Sequence, residues 1–180
     1  MAFTLLPTSA YSTLDATKLT GNLPAINGSS LTNLPSADNE PCFMAWGGNQ
    51  SISNETVTVL AMGTANWNLG SKYDTSTYRF TPAAAGHYWI CANVQYTSQG
   101  GGAARSIMQL FKNDTPFTAV ETEMPNGTKT NVFASALINV DSDDYITAQV
   151  YQNSGSTLTT NNSSSMCFMM GFRVDFEANS

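Results

Sequence analysis

The chain has 180 residues, with 7 Lys plus Arg against 13 Asp plus Glu and a formal net charge of −6. An acidic chain whose few cations are spread singly is a poor phosphate binder, so nucleic acid is excluded as an expected partner. Charged residues make up only 11% of the chain, so Ser, Thr, Asn and Gln must supply the polar surface, as in many neutral β-rich proteins.

Residues 1–14 offer Phe3, Leu5, Leu6, Tyr11 and Leu14 with no clear period, and read as an anchor for another protein surface. The start, MAFTLLP, has no charged leader, and Pro7 interrupts a very short apolar run. A secretory signal is therefore not expected. No run approaches the ~18 apolar residues of a membrane span, so no membrane partner is expected either. Without secretion, the Asn-x-Ser/Thr matches at Asn27, Asn54, Asn113 and Asn126 carry no meaning.

Residues 19–35 read LTGNLPAINGSSLTNLP. Leu19-Thr20 and Leu31-Thr32 open two related phrases, and each phrase reaches Leu-Pro. Pro24, Pro35, Gly21 and Gly28 forbid a long helix. One chain could not bury Leu19, Leu23, Ile26, Leu31 and Leu34 in so short a segment, but three chains around an axis could. A disordered linker is the plain alternative, though linkers seldom keep regular leucines. The stretch resembles the stalk repeats in tail and head fibres of tailed bacteriophages. The expected organisation is an anchor and stalk over residues 1–40 and a head domain over residues 41–180.

The head reads as a succession of short strands. CFMAW over residues 42–46 is the first, and Gly47-Gly48 ends it. ETVTVLAM over residues 55–62 is the next, followed by a loop that holds Trp67. A short strand is expected over residues 77–80, then a connection bracketed by Pro82 and Gly86. Residues 87–96 alternate strictly. Tyr88, Ile90, Ala92, Val94 and Tyr96 share one face, and His87, Trp89, Cys91, Asn93 and Gln95 share the other. That is the pattern of a strand packed on a core. The Gly-rich residues 98–103 lack the Lys-Ser/Thr pair of a phosphate loop and read as a plain hairpin loop.

SIMQLFK over residues 106–112 is a strand closed by Asn113-Asp114, and Pro125-Asn126-Gly127 is a turn. NVFASALINV over residues 131–140 places Val132, Ala134, Ala136, Ile138 and Val140 on one face. Asp141, Asp143 and Asp144 form the one acidic cluster. Calcium would favour several oxygens, but the EF-hand spacing is absent, and a solvated tight turn is the expected reading. Residues 145–152 form a strand, and a Ser/Thr/Asn loop follows to Ser165. In the last strand Phe168, Met170, Phe172, Val174 and Phe176 share one face, while Cys167, Met169, Gly171, Arg173 and Asp175 share the other.

Asn68, Tyr73, Phe80, Gly86 and Tyr88 are spaced in a way that resembles the globular-head domain of complement component one, subcomponent q. That family is a trimeric jelly roll related to tumour necrosis factor. Gly171-Phe172 resembles its closing motif, and Asp143-Asp144 stand where it has a Gly-Asp turn. Met62, Ile90 and Ala92 stand where it has aromatics, so the packing must differ. The resemblance covers residues 41–176. It implies a core built on Asn68, Tyr73, Phe80, Gly86, Tyr88, Gly171 and Phe172, and it implies a homotrimer.

The strand pattern independently gives an all-β, two-sheet antiparallel jelly roll. Apolar residues on both faces of several strands call for a second subunit, since a sandwich buries one face of each sheet. No catalytic site is expected. His87 is the only histidine, no nucleophile sits in a G-x-S-x-G context, and the carboxylates are scattered. Cys42, Cys91 and Cys167 form no metal-ligand spacing and read as structural thiols. No cofactor and no metal are expected.

The resulting expectation is a non-enzymatic trimeric virion protein of a tailed bacteriophage. The favoured form is a capsid decoration, cement or short head-fibre protein at the virion surface, made in the host cytoplasm. It would bind a major capsid protein or another virion protein through its N-terminus, because so short a foot suits direct attachment to a surface. The alternative is a tail-fibre adhesin whose loops read host glycans or proteins. Trp67 could then stack on a sugar, although core or interface packing explains it more simply. A cellular lectin-like trimer is the remaining alternative.

Overall fold

The computed structural model describes residues 40–97, 104–125, 127 and 129–174. All of these fall in the compact unit of residues 35–180. The expected anchor and stalk, with Phe3, Leu5, Leu6, Tyr11, Leu14, Leu19, Leu23, Ile26, Leu31 and Leu34, lie outside the described residues.

The described residues are all-β. In chain order the strands are β1 Cys42–Trp46, β2 Ser51–Ile52, β3 Thr58–Val59, β4 Thr64–Leu69, β5 Tyr73–Asp74, β6 Arg79–Phe80, β7 Gly86–Gln95, β8 Ala104–Lys112, β9 Thr115–Met124, β10 Asn131–Val140, β11 Ile146–Gln152, β12 Leu158–Thr159 and β13 Phe168–Val174. One sheet runs β10-β7-β13-β1-β4. The other runs β5-β6-β11-β8-β9, with β3 also on β11, and β2 pairs with β12 as a small clasp. Every named pairing is antiparallel, and the whole is a two-sheet jelly roll.

The core between the sheets follows from period-two alternation. Tyr88, Ile90, Ala92 and Val94 of β7 are fully buried, as are Val132, Ala134 and Ile138 of β10. Met108 and Leu110 of β8 and Ile146 and Val150 of β11 close the core from the other sheet. Asn113 and Asp114 both take positive φ, 48° and 61°, and form the two-residue hairpin between β8 and β9. Short polar side chains tolerate that conformation, whose twist suits a hairpin.

Several elements differ from the sequence-based expectation. Strand β9 falls where no strand was expected. It is a sheet edge, and only Met124 in it is buried. The strand expected over residues 55–62 contracts to Thr58–Val59, and Val57 is 48% exposed. Trp67 lies within edge strand β4 and not in a loop. The strand expected over residues 77–80 is Arg79–Phe80, preceded by Tyr78 at φ 58°.

Candidate functional site

Of the five-point spacing, Gly86 is half-buried at the start of β7, while Tyr73, Phe80 and Tyr88 close into one aromatic cluster. Phe43 of β1 is its hub, stacked on Tyr73 at 4.7 Å and on Phe80 at 4.5 Å between ring centroids. Phe80 meets Tyr88 edge-on at 5.6 Å. Such pairs add to the burial of large rings. The Tyr73 hydroxyl donates to the Met62 carbonyl at 3.1 Å, and burial pushes the phenol's pKa well above its ordinary value. Gly171 is buried because nothing larger fits: a Cβ there would lie 2.3 Å from Ile90 Cδ1 and 2.9 Å from the Trp89 carbonyl oxygen. Asn68 is half-buried and binds the backbone of Tyr73. The motif spacing does not include Phe43, though the alternation of CFMAW places it on one face with Ala45.

Phe172 requires a correction. It was expected in the core, but its side chain is 37% exposed on the outer face of the sheet. Cys167, Met169 and Gly171 form the inward side of that segment. Apolar residues on both faces hid the choice in the sequence. Gly171, whose Cβ would collide with Ile90, marks the inward side.

The outer face is the candidate site, and strand register builds it. Leu69 of β4 pairs with Cys42 of β1, which pairs with Phe172 of β13. Phe172 pairs with Trp89 of β7, and Trp89 with Leu137 of β10. Directly paired residues share a sheet face. A single apolar row therefore crosses all strands of this sheet. The next row holds Trp67, Met44, Met170 and Cys91. Trp67, Leu69 and Leu137 are each near 45% exposed. The Trp89 and Phe172 rings lie 5.6 Å apart. With Leu137 and Val174 they line an open apolar depression of about 460 Å³. A second, of about 250 Å³, opens beside Trp67, Met170 and Phe172. This is a large contiguous apolar surface, of the kind that marks an interaction site.

Charge gathers at one end of the sandwich. Asp144 was expected in a solvated turn, but it is buried and fully engaged. It accepts from Lys112 Nζ at 2.7 Å, from the Asp141 N–H at 2.7 Å and from Asn113 Nδ2. The lysine bond, then the backbone bond, holds its carboxyl below the ordinary aspartate range. The Arg79 guanidinium sits 4.0 Å from the Tyr145 ring centroid. His87 is exposed on β7, and its cross-strand neighbours are Asn139 and Val174, neither of them a nucleophile or a carboxylate. Burial raises the Cys91 thiol to about 11 and also raises Cys167, which keeps both protonated. No group of His, Cys, Asp and Glu suited to a metal occurs among the described residues. No described helix is long and apolar enough to cross a membrane.

No protein-family model and no curated protein matches the chain. Solved structures do. Eiger TNF from S. frugiperda superposes with a TM-score of 0.56 at 11% identity, over 77% of this chain and 96% of that one. The globular domain of zebrafish complement 1qA gives 0.54 at 13% identity, over 76% and 98%. Murine APRIL at pH 5.0 gives 0.57 at 10% identity, over 74% and 98%. The head therefore has the fold shared by tumour-necrosis-factor-like and complement globular-head jelly rolls.

Proposed function

We propose that three copies of this chain join through the apolar outer face into a non-enzymatic homotrimer that serves as a structural protein of a tailed-bacteriophage virion. The observation that carries the trimer is the in-register row Leu69, Cys42, Phe172, Trp89 and Leu137. Fully burying one such side chain is worth ~1.5–3 kcal/mol, so the row is a strong drive to associate. A threefold ring needs two different patches that fit each other. Trp67 and Leu69 on edge strand β4, and Leu137 and Phe133 on edge strand β10, supply apolar groups at the two edges of this sheet. The virion assignment is supported by the stalk-like repeat over residues 19–35.

In this reading, residues 1–14 attach the trimer to a major capsid protein or a neighbouring virion protein, as a decoration, cement or short head fibre. Three weak anchors on one trimer bind together and so hold. Light scattering should give about three times the 19.3 kDa chain mass. A monomer at micromolar concentration would end the proposal. Immunogold labelling of particles with antibody to the head should decorate the capsid. A tail-fibre adhesin is the second reading, favoured by the Ser-, Thr- and Asn-rich loops at one end of the head, and tail-confined label would select it.

A further inference from the structure

The two ends of the sandwich differ in charge. Strands β1, β7 and β13 align so that Cys42 and Val174 lie at the end where β7 begins. The described chain therefore enters and leaves at one end. That end holds Lys72, Arg79, Lys112, Asp114, Asp144 and Arg173. The opposite end carries the loops of residues 47–63 and 153–167, with the chain just past β7 and just before β10. Among the described residues of these loops only Glu55 and Lys129 are charged. Beside them stand Glu123 on β9 and Arg105 on β8, the latter bonded to Asn153 of the loop and paired with Glu121.

Those loops are built as a platform. Gln50 Nε2 donates to the Val59 carbonyl at 2.7 Å, and its Oε1 accepts from the Ala61 N–H at 2.9 Å. The Gln50 N–H donates to Thr160 Oγ1 at 3.0 Å. Asn54 Oδ1 accepts from the Gly155 N–H at 2.7 Å, and Asn161 Nδ2 donates to Gln95 Oε1 at 2.6 Å. The β2–β12 clasp ties the two long loops together. They approach so closely that a Cβ on Gly48 would lie 2.4 Å from the Asn161 carbonyl oxygen. Outward from this frame stand the exposed Asn49, Ser51, Ser53, Thr157 and Asn162.

We infer that this end of the head is a recognition surface for an uncharged carbohydrate chain. An ordered display of hydroxyl and amide groups pairs with sugar hydroxyls, and a pre-ordered surface loses little entropy on binding. The loops themselves offer a charged partner little opposite charge to draw it in, and the neighbouring Arg105 is already paired with Glu121. The inference rests on the trimer reading, which multiplies weak single contacts.

The test passes the full chain over immobilised dextran, mannan and galactan, with an anionic polysaccharide and a protein-coated resin alongside, while light scattering reports the oligomer. The expected result is retention on at least one neutral polysaccharide, unchanged from low to high salt. Ser51→Arg and Asn162→Arg should each weaken it by about tenfold, because a bulky charge there finds no partner in a neutral ligand. Asp143→Arg, at the other end, should leave retention intact. Both loop positions are exposed, so circular dichroism should not change. A trimer that no neutral polysaccharide retains, or that only the charged or protein resin retains, overturns the inference and leaves the trimer standing. A retained monomer keeps the loop assignment and refutes the trimer.

Discussion

The Asn68 side chain takes up both backbone polar groups of Tyr73: Nδ2 donates to the Tyr73 carbonyl at 2.8 Å, and Oδ1 accepts from its N–H at 3.0 Å. The amide thus extends the hydrogen bonding of β4 across the turn to β5 and fixes the tyrosine ring against Phe43. Asn68→Ala strips partners from both groups and should cost about 1–3 kcal/mol in urea unfolding. Asn68→Asp should behave no better, because a carboxylate cannot donate to the carbonyl. A neutral Asn68→Ala would show that water replaces the amide at no cost.

Gly171 predicts a steric penalty with a known origin. Gly171→Ala should destabilise the head by about 1–3 kcal/mol through overpacking. Ile90→Val removes the Cδ1 that lies 2.3 Å from the added Cβ. The double variant should therefore lose less than the sum of the two single losses, as neighbouring residues do. Full additivity in a double-mutant cycle would place the strain elsewhere.

The exposed position of Phe172 separates folding from assembly. Phe172→Asp and Trp89→Asp each put a carboxylate in the middle of the apolar row, where a second subunit would have to bury it. Both variants should keep the wild-type far-ultraviolet spectrum and shift to monomer in light scattering. A trimeric Phe172→Asp protein would show that this face is not the interface.

Asp144 predicts an acid limb in stability. Its folded pKa is depressed, chiefly by Lys112. The stabilisation is therefore present above the ordinary aspartate pKa and is lost as pH falls through the lower, folded value. Asp74 behaves alike: bonds from Ser76, its hydroxyl and then its N–H, followed by the Thr77 hydroxyl, bring it to about 2. Asp144→Asn should lower the thermal midpoint at neutral pH, and the gap to wild type should close as the solution is acidified. A gap that persists in strong acid would mean that the substitution acts through something other than this ionisation.

Deleting residues 1–14 should leave a folded trimeric head that no longer joins particles. Co-sedimentation with particles lacking the native protein measures this directly. Undiminished co-sedimentation would move the anchor elsewhere on the chain.

The legible parts of the fold were those with water on one face and core on the other. β10 alternates cleanly because it is buried on one side along its length, and β7 keeps its apolar alternation on the core side although Cys91 and Asn93 of its other face are buried too. β9 was invisible because TPFTAVETEM buries almost nothing, and an edge strand wet on both sides leaves no period to find. The outer-face site was half legible. Trp89 opposite Tyr88 and Met169 opposite Phe168 announced a second apolar face, but sequence alone put Phe172 in the core and could not pair Leu69, Cys42 and Leu137 into one row with Phe172 and Trp89. That row exists only through strand register. Asp144 misled because its partners Lys112 and Asn113 come from a different hairpin.

The last strand among the described residues, β13, sits in the middle of its sheet, between β7 and β1. A ribosome therefore releases the flanks of the gap long before the piece that fills it. Until residues 168–174 emerge, β1 and β7 each present an unpaired edge facing that gap, and the core side of Ile90 and Phe43 lacks its covering backbone. Nascent heads cannot close one by one from the N-terminus, so neighbouring chains on a polysome meet with complementary open edges. Crowded synthesis should make insertion of one chain's β13 into another's gap the characteristic misfolding product.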